Sequence, residues 1–107
     1  MIIYNVTVKV LPQIAEEWLR WMHEEHMPEL LATGLFTDYR LCRLLEQDES
    51  EGITFSAQYF SRNMEQYQRY LAEYAPLMRQ KGYDRFGDKF IAFRTVMKVE
   101  FSGSDHS

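Results

Sequence analysis

Apolar and polar side chains alternate along residues 2–10 (IIYNVTVKV), a period of two rich in β-branched residues that predicts a strand. The period lengthens to three and four after Gln13, where Ile14, Trp18 and Met22 recur four residues apart. That spacing predicts a helix. Pro12 precedes it at a position that a first helical turn tolerates, and Gly34 is placed to cap its end.

Three further strands are expected over residues 35–46, 53–60 and 89–101, with a second amphipathic helix starting near Asn63. Pro76 should kink or restart that helix. The order β-α-β-β-α-β predicts an α+β fold, the ferredoxin-like plait, with a four-stranded antiparallel sheet and both helices on one face. Residues 1–101 are expected to form one domain and residues 102–107, including His106, a flexible tail.

The two sides of this sheet differ in character. The more apolar side is expected under the helices; its residues are Val6, Val8, Ile53, Phe55, Ile91, Phe93 and Met97. The uncovered side would carry Asn5, Thr7, Ser56, Gln58, Phe60, Ala92, Arg94 and Val96, with strand two contributing either Tyr39, Leu41 and Arg43 or their neighbours. This mixture suits a wet ligand cleft or a sheet-to-sheet homodimer better than an ordinary solvated face, because monomers avoid exposed apolar patches.

Charge and length narrow the function classes. The 107-residue chain has a net charge of −4 with both signs interspersed, which argues against nucleic acid as a partner. No apolar run approaches the ~20 residues that span a bilayer, and the first residues lack the pattern of a signal peptide. The lone Cys42 rules out an intramolecular disulfide framework and is expected to be a small buried apolar residue. We therefore expect a cytoplasmic protein without membrane contact.

The stretch WMHEEHMPEL, residues 21–30, concentrates titratable groups at the end of the first helix. Its histidines, His23 and His26, are three apart, whereas zinc chelation from a helix commonly uses a spacing of four and a third ligand from elsewhere. His106 in the tail is the only other histidine. The sequence thus predicts no metal and no cofactor, with His23 in solvent.

His26 falls on the buried stripe of the helix, and Pro28 disfavours helical geometry just after it. An ionisable group at a half-buried helix break is a candidate for acid/base chemistry. The alternative is a structural histidine that hydrogen-bonds a freed carbonyl. Arg94, in the middle of the last strand, is either an anion-binding residue or the partner of a carboxylate such as Glu29 or Asp38 across a dimer.

Three blocks, MIIYNVT, EEHMPELLATGLF and FGDKFIAFRT, resemble a family of short uncharacterised bacterial proteins known only as a domain of unknown function. The resemblance covers residues 1–101 and implies the ferredoxin-like dimeric α/β-barrel superfamily, in which two sheets face each other. It implies no activity. The element His26-Met27-Pro28 is similar to an H-x-P element of EthD-like members, and no other catalytic motif of the enzymatic relatives is matched.

Two hypotheses follow. In the first, a cleft between the sheet and the first helix binds a small organic acid, with His26 as a proton-transfer base that titrates near neutrality. Its candidate ligand-binding residues are Asn5, Ser56, Gln58 and Arg94. In the second, the protein is a non-catalytic dimeric module, and the same residues serve as interface hydrogen bonds.

Overall fold

The computed structural model describes residues 1–105 and contains ten helical and strand segments. The strands are β1 (Ile2–Val10), β2 (Asp38–Arg43), β3 (Ile53–Ser61) and β4 (Phe90–Lys98). The helices are α1 (Ala15–Trp21), α2 (Met27–Ala32), α3 (Met64–Glu73) and α4 (Ala75–Phe86), with a 3₁₀ turn at Pro12–Ile14 and a π turn at Met22–His26.

The four strands form one antiparallel sheet in the order β2-β3-β1-β4, with β1 paired to β3 on one side and to β4 on the other. The ferredoxin-like β-α-β-β-α-β architecture predicted from the sequence is confirmed. β1 matches its predicted bounds, whereas β2 is much shorter than residues 35–46 because Leu35 and Phe36 turn into the core before the strand begins. Gly34 has a φ of 79°, as a residue closing the first helix requires.

The helical stretch from Ala15 to Ala32 changes geometry in its middle. The Met27 amide donates to the Met22 carbonyl, five residues back, which is the bond of a π turn. Pro28 follows directly and has no amide hydrogen, and its ring would crowd the carbonyl four residues before it in a regular α-helix. The break predicted near Pro28 is therefore present, and it takes the form of one wide turn.

The second helical region is divided where Pro76 predicts. Asn63 caps α3 by accepting a hydrogen bond from the Gln66 amide at 2.9 Å. Tyr74, with a φ of −126°, separates α3 from α4, and Pro76 lies in the first turn of α4, where its missing amide costs nothing.

An aromatic core lies between these helices and the sheet. Tyr4 is in ring contact with Phe36, Tyr59, Tyr67 and Tyr70. Trp18 packs on Phe55 at a centroid distance of 5.1 Å. These contacts pack both helical regions against β1 and β3 on the same face of the sheet.

The face assignment of β4 from the sequence was wrong. Val6 is paired with Arg94 and Val8 with Ala92, and directly paired residues share a face of the sheet. Ala92, Arg94 and Val96 therefore face the helices, while Ile91, Phe93 and Met97 lie on the uncovered side with Thr7. In β2 the pairing settles the open choice: Tyr39, Leu41 and Arg43 are on the helix side.

Two further expectations concern Cys42 and the C-terminal tail. Cys42 was expected to be buried but is exposed. It lies on the short edge strand β2 and pairs there with Ser56 of β3, which places it on the uncovered side of the sheet. Of the predicted tail, residues 102–105 have no helix or strand, and His106 and Ser107 lie outside the described residues. No helix within residues 1–105 is long and apolar enough to cross a membrane.

Candidate functional site

A partly open cavity lies between the β1–β4 side of the sheet and the helices. Its walls come from β1, β3, β4, the first helical stretch and α4. Most of the lining is aromatic or aliphatic, and the lining includes no aspartate or glutamate. The polar groups that reach it are His26, Arg79, Arg94 and the tyrosines Tyr4, Tyr59, Tyr70 and Tyr83.

The π turn carries His26 into this cavity. The imidazole stacks on the indole of Trp21 at a centroid distance of 4.4 Å and an interplanar angle of 18°. Its Nδ1 is buried and has no hydrogen-bond partner among residues 1–105, so the carbonyl-bonded structural role is not found at that atom. Burial lowers the pKa of His26 to about 4, against the opposing field of Glu29, and Lys81 adds a smaller lowering. The ring is neutral at pH 7, whereas the sequence predicted titration near neutrality.

Arg94 and Arg79 converge on one phenol. Arg94 Nε donates to Tyr4 Oη at 3.2 Å, and Arg79 Nη2 approaches the same oxygen at 3.5 Å. Within the described chain neither guanidinium has a carboxylate within 4.0 Å. The structure therefore places two guanidinium groups, neither with a carboxylate partner among residues 1–105, beside one phenol of the cavity.

Sequence reasoning missed Arg79. A usable signal was present, because Ala75, Met78, Gly82 and Phe86 are buried at helical spacing and Arg79 falls beside them on the same side of α4. An arginine next to a buried helical stripe needs either a snorkelling path to solvent or a partner.

The other three candidates lie elsewhere. Asn5, Ser56 and Gln58 are on the uncovered side of the sheet, opposite the cavity. Ser56 Oγ donates to Asn5 Oδ1 at 2.6 Å, and Asn5 Nδ2 donates to Thr7 Oγ1 at 3.1 Å. The structure thus brings His26 and Arg94 together and separates them from this hydrogen-bonded group.

Ion pairs brace the helices around the cavity. Lys81 on α4 pairs with Glu29 on α2, and Arg85 approaches Glu17 and Glu25. Glu29 therefore has a partner within its own chain. Across residues 1–105 no three His, Cys, Asp or Glu side chains are grouped so as to hold a metal ion. The chemistry available to the cavity is that of cations, a neutral imidazole and phenols, whose protons are retained because burial raises the pKa of Tyr59 and Tyr70.

Fold and cavity together define a small ferredoxin-like α+β protein with a polar-ended pocket beneath its helices. The chain belongs to the family described as Domain of unknown function (DUF4286), whose model matches residues 1–100. A crystal structure of an ethyl tert-butyl ether D (EthD) family protein from Bacillus halodurans C-125 is similar, with a TM-score of 0.64. That similarity spans 92% of this chain and 99% of the other at 14% identity, so it supports the fold alone. No curated protein matches the sequence.

Proposed function

We propose that the protein binds a small organic anion in the cavity between the sheet and the first helical stretch. The observation that carries the proposal is that His26 and Arg94, from elements far apart in the sequence, line one cavity. Pockets for small molecules are mostly apolar, with a few polar groups that orient the ligand, and this lining has that composition.

The charges favour an anion. Arg94 supplies a fixed fork of donors, and with no acidic side chain in the lining a bound anion would be its counter-ion. The same anion would act on His26 by raising its pKa, since a nearby negative charge favours the imidazolium. Binding and protonation of His26 are then coupled.

That coupling supports proton transfer as the chemistry. A neutral imidazole can take a proton from an acidic C–H of the bound anion, and the additional negative charge that forms lies beside the arginine. His26 is the proposed base and Arg94 the anion clamp. Neither Asn5, Ser56 nor Gln58 takes part in this version of the site.

We propose further that the uncovered side of the sheet forms a homodimer. Phe93 and Ile91 are 64% and 55% exposed there, next to the hydrogen-bonded Asn5–Ser56 pair. An apolar patch of this kind on a flat sheet is typical of an interface. It also favours the second candidate function, a non-catalytic dimeric module whose cavity binds nothing.

A thermal-shift screen of small carboxylates separates the two functions. We expect at least one carboxylate to raise the melting temperature of the wild type and to have little effect on Arg94→Ala and His26→Ala. Arg69→Ala is the matched control, because Arg69 is an exposed arginine of α3 paired with Glu73. Stabilisation that persists in Arg94→Ala would place the ligand elsewhere, and a screen with no stabilising carboxylate would leave the module hypothesis standing.

A further inference from the structure

Resting on the function proposed above, we infer that the ligand is a monocarboxylate with a flat apolar body, and that Arg79 joins Arg94 in gripping its carboxylate. The proposal that an anion binds at Arg94 needs neither Arg79 nor an apolar ligand body. This inference and that proposal can therefore fail separately.

The first support is a pair of unsatisfied nitrogens. Among the side chains of residues 1–105, only His26 Nδ1 and Arg79 Nε are buried without a hydrogen-bond partner, and both residues line the same cavity. Buried polar atoms in native structures are nearly always hydrogen-bonded, so such a coincidence at one cavity points to a ligand that supplies the missing partners.

The second support is the geometry at Tyr4. The Tyr4 phenol oxygen lies within 3.5 Å of nitrogens from both guanidinium groups. Each guanidinium has five N–H donors, and this oxygen uses only one from each. A carboxylate has two oxygens with about four acceptor positions, enough to bridge two forks and to neutralise part of their charge. The Tyr4 hydroxyl would then lie beside the bound carboxylate as a third polar group, and would not compete with it for the arginine donors.

The third support, for the flat apolar body of the ligand, is the composition of the cavity walls. Beyond the arginines the cavity is bounded by rings and methionines, notably Trp18, Trp21, Met78 and Phe90. Gly82 is buried in the middle of α4, and a Cβ there would meet the Phe90 ring at 3.5 Å and the Trp21 ring at 3.8 Å. A glycine in a helix interior costs stability. Here its missing side chain leaves a gap about one methyl group wide between the two rings. A flat apolar group fills such a space, whereas a highly charged phosphate ester would leave its other oxygens against apolar walls.

The test is calorimetric titration of the wild type with benzoate, benzamide and acetate. Benzamide keeps the ring and removes the charge, and acetate keeps the charge and removes the ring. We expect benzoate to bind at least about tenfold more tightly than either. Equal affinity for benzoate and acetate would overturn the apolar body, and equal affinity for benzoate and benzamide would overturn the carboxylate.

Arg79→Met tests the second arginine, with Arg69→Met as the control because Arg69 is an exposed arginine on the neighbouring helix paired with Glu73. We expect benzoate affinity to fall at least about tenfold in Arg79→Met and to stay unchanged in Arg69→Met. Arg79→Lys, which retains charge without the fork, covers the case in which the methionine variant fails to fold, and it too should bind more weakly. Wild-type affinity in the Arg79 variants would overturn the two-arginine grip while leaving the anion site at Arg94 intact. If acetate and benzoate both fail to bind the wild type while another carboxylate raises its melting temperature, only this inference fails; if no carboxylate of the screen does so, the proposed function fails as well.

Discussion

The two faces of the sheet differ in whether their polar side chains have hydrogen-bond partners. On the uncovered face two hydrogen bonds link Ser56 to Asn5 and Asn5 to Thr7, beside exposed apolar residues. On the covered face two arginines share one phenol, and an imidazole nitrogen has no partner within the described residues. Satisfied polar groups among apolar ones suit a permanent interface, and unsatisfied ones around a cavity suit a ligand that comes and goes.

This comparison reverses the distribution of roles expected from the sequence. The uncovered face was expected to hold the ligand-binding amides and Arg94 together. The arginine is instead on the helix side, where it reaches the cavity with His26. In our proposal, binding and dimerisation therefore use opposite faces of the sheet, and each can be disturbed without the other.

Charging the uncovered face is expected to have the largest effect. Phe93→Glu would bury an unpaired carboxylate in the proposed dimer interface, at a cost of several kcal/mol for each copy. We expect the dissociation constant, measured by analytical ultracentrifugation, to rise at least about a hundredfold while benzoate binding persists. Leu77→Glu, a similarly exposed apolar position on α4, is the control and should leave the dimer intact. A wild-type monomer at micromolar concentration would contradict the dimer itself.

Acidification should lower the free energy of unfolding through protonation of His26 in the cavity. The pKa of the ring is about 4 when folded and about 6.5 when unfolded, so the unfolded state binds more protons between those values. Stability is therefore fully present above pH 6.5 and falls as the pH drops toward 4, by about 3 kcal/mol in total. His26→Gln should remove that part of the pH dependence in urea unfolding measured at pH 4 to 7. Since Glu29 and Lys81 act on the ring in opposite directions, their ion pair must stay intact in the variant. Parallel pH profiles for the two proteins would show that burial does not shift this histidine.

Removing the shared phenol should have a moderate effect. Tyr4→Phe keeps the ring contacts and deletes the acceptor for Arg79 and Arg94, which we expect to cost about 1 kcal/mol because part of each guanidinium can rehydrate. Chemical denaturation gives the value, and benzoate affinity should fall as well if the hydroxyl helps to hold the carboxylate. Tyr39→Phe, on the edge strand, is a suitable comparison because Tyr39 itself does not line the cavity. Loss of more than about 3 kcal/mol would mean that the hydroxyl organises the core rather than the site.

Breaking the hydrogen-bond chain of the uncovered face should have the smallest effect. We expect Ser56→Ala to cost about 1 kcal/mol of stability, the worth of one ordinary hydrogen bond, and to leave carboxylate affinity unchanged. A double-mutant cycle with Asn5→Ala isolates the pair. A large loss of carboxylate affinity in either single variant would restore these residues to the binding site.

The fold could be predicted because the helical and strand periods of this chain are clear over whole segments, as in residues 2–10. The faces of β4 could not be assigned, because both sides of FIAFRTVMK are largely apolar and its orientation follows from pairing with β1. Ile91 and Phe93 were assigned to the core because they lie on the more apolar side of this strand. His26 was recognisable from its place on the buried stripe and from Pro28, while the convergence of Arg79 and Arg94 on Tyr4 depends on three elements meeting in space.

The wide turn at Met22–His26 can also be viewed as a one-residue insertion in a helix. Deleting Glu24 would return the segment to ordinary α-helical spacing, and α1 and α2 could each keep the side that they bury. The imidazole, however, sits within the inserted turn and would be rotated relative to the cavity. A single codon thus separates a helix that only packs against the sheet from one that carries His26 into the cavity, and relatives that lack this turn would show a gap of one residue here in a structural alignment.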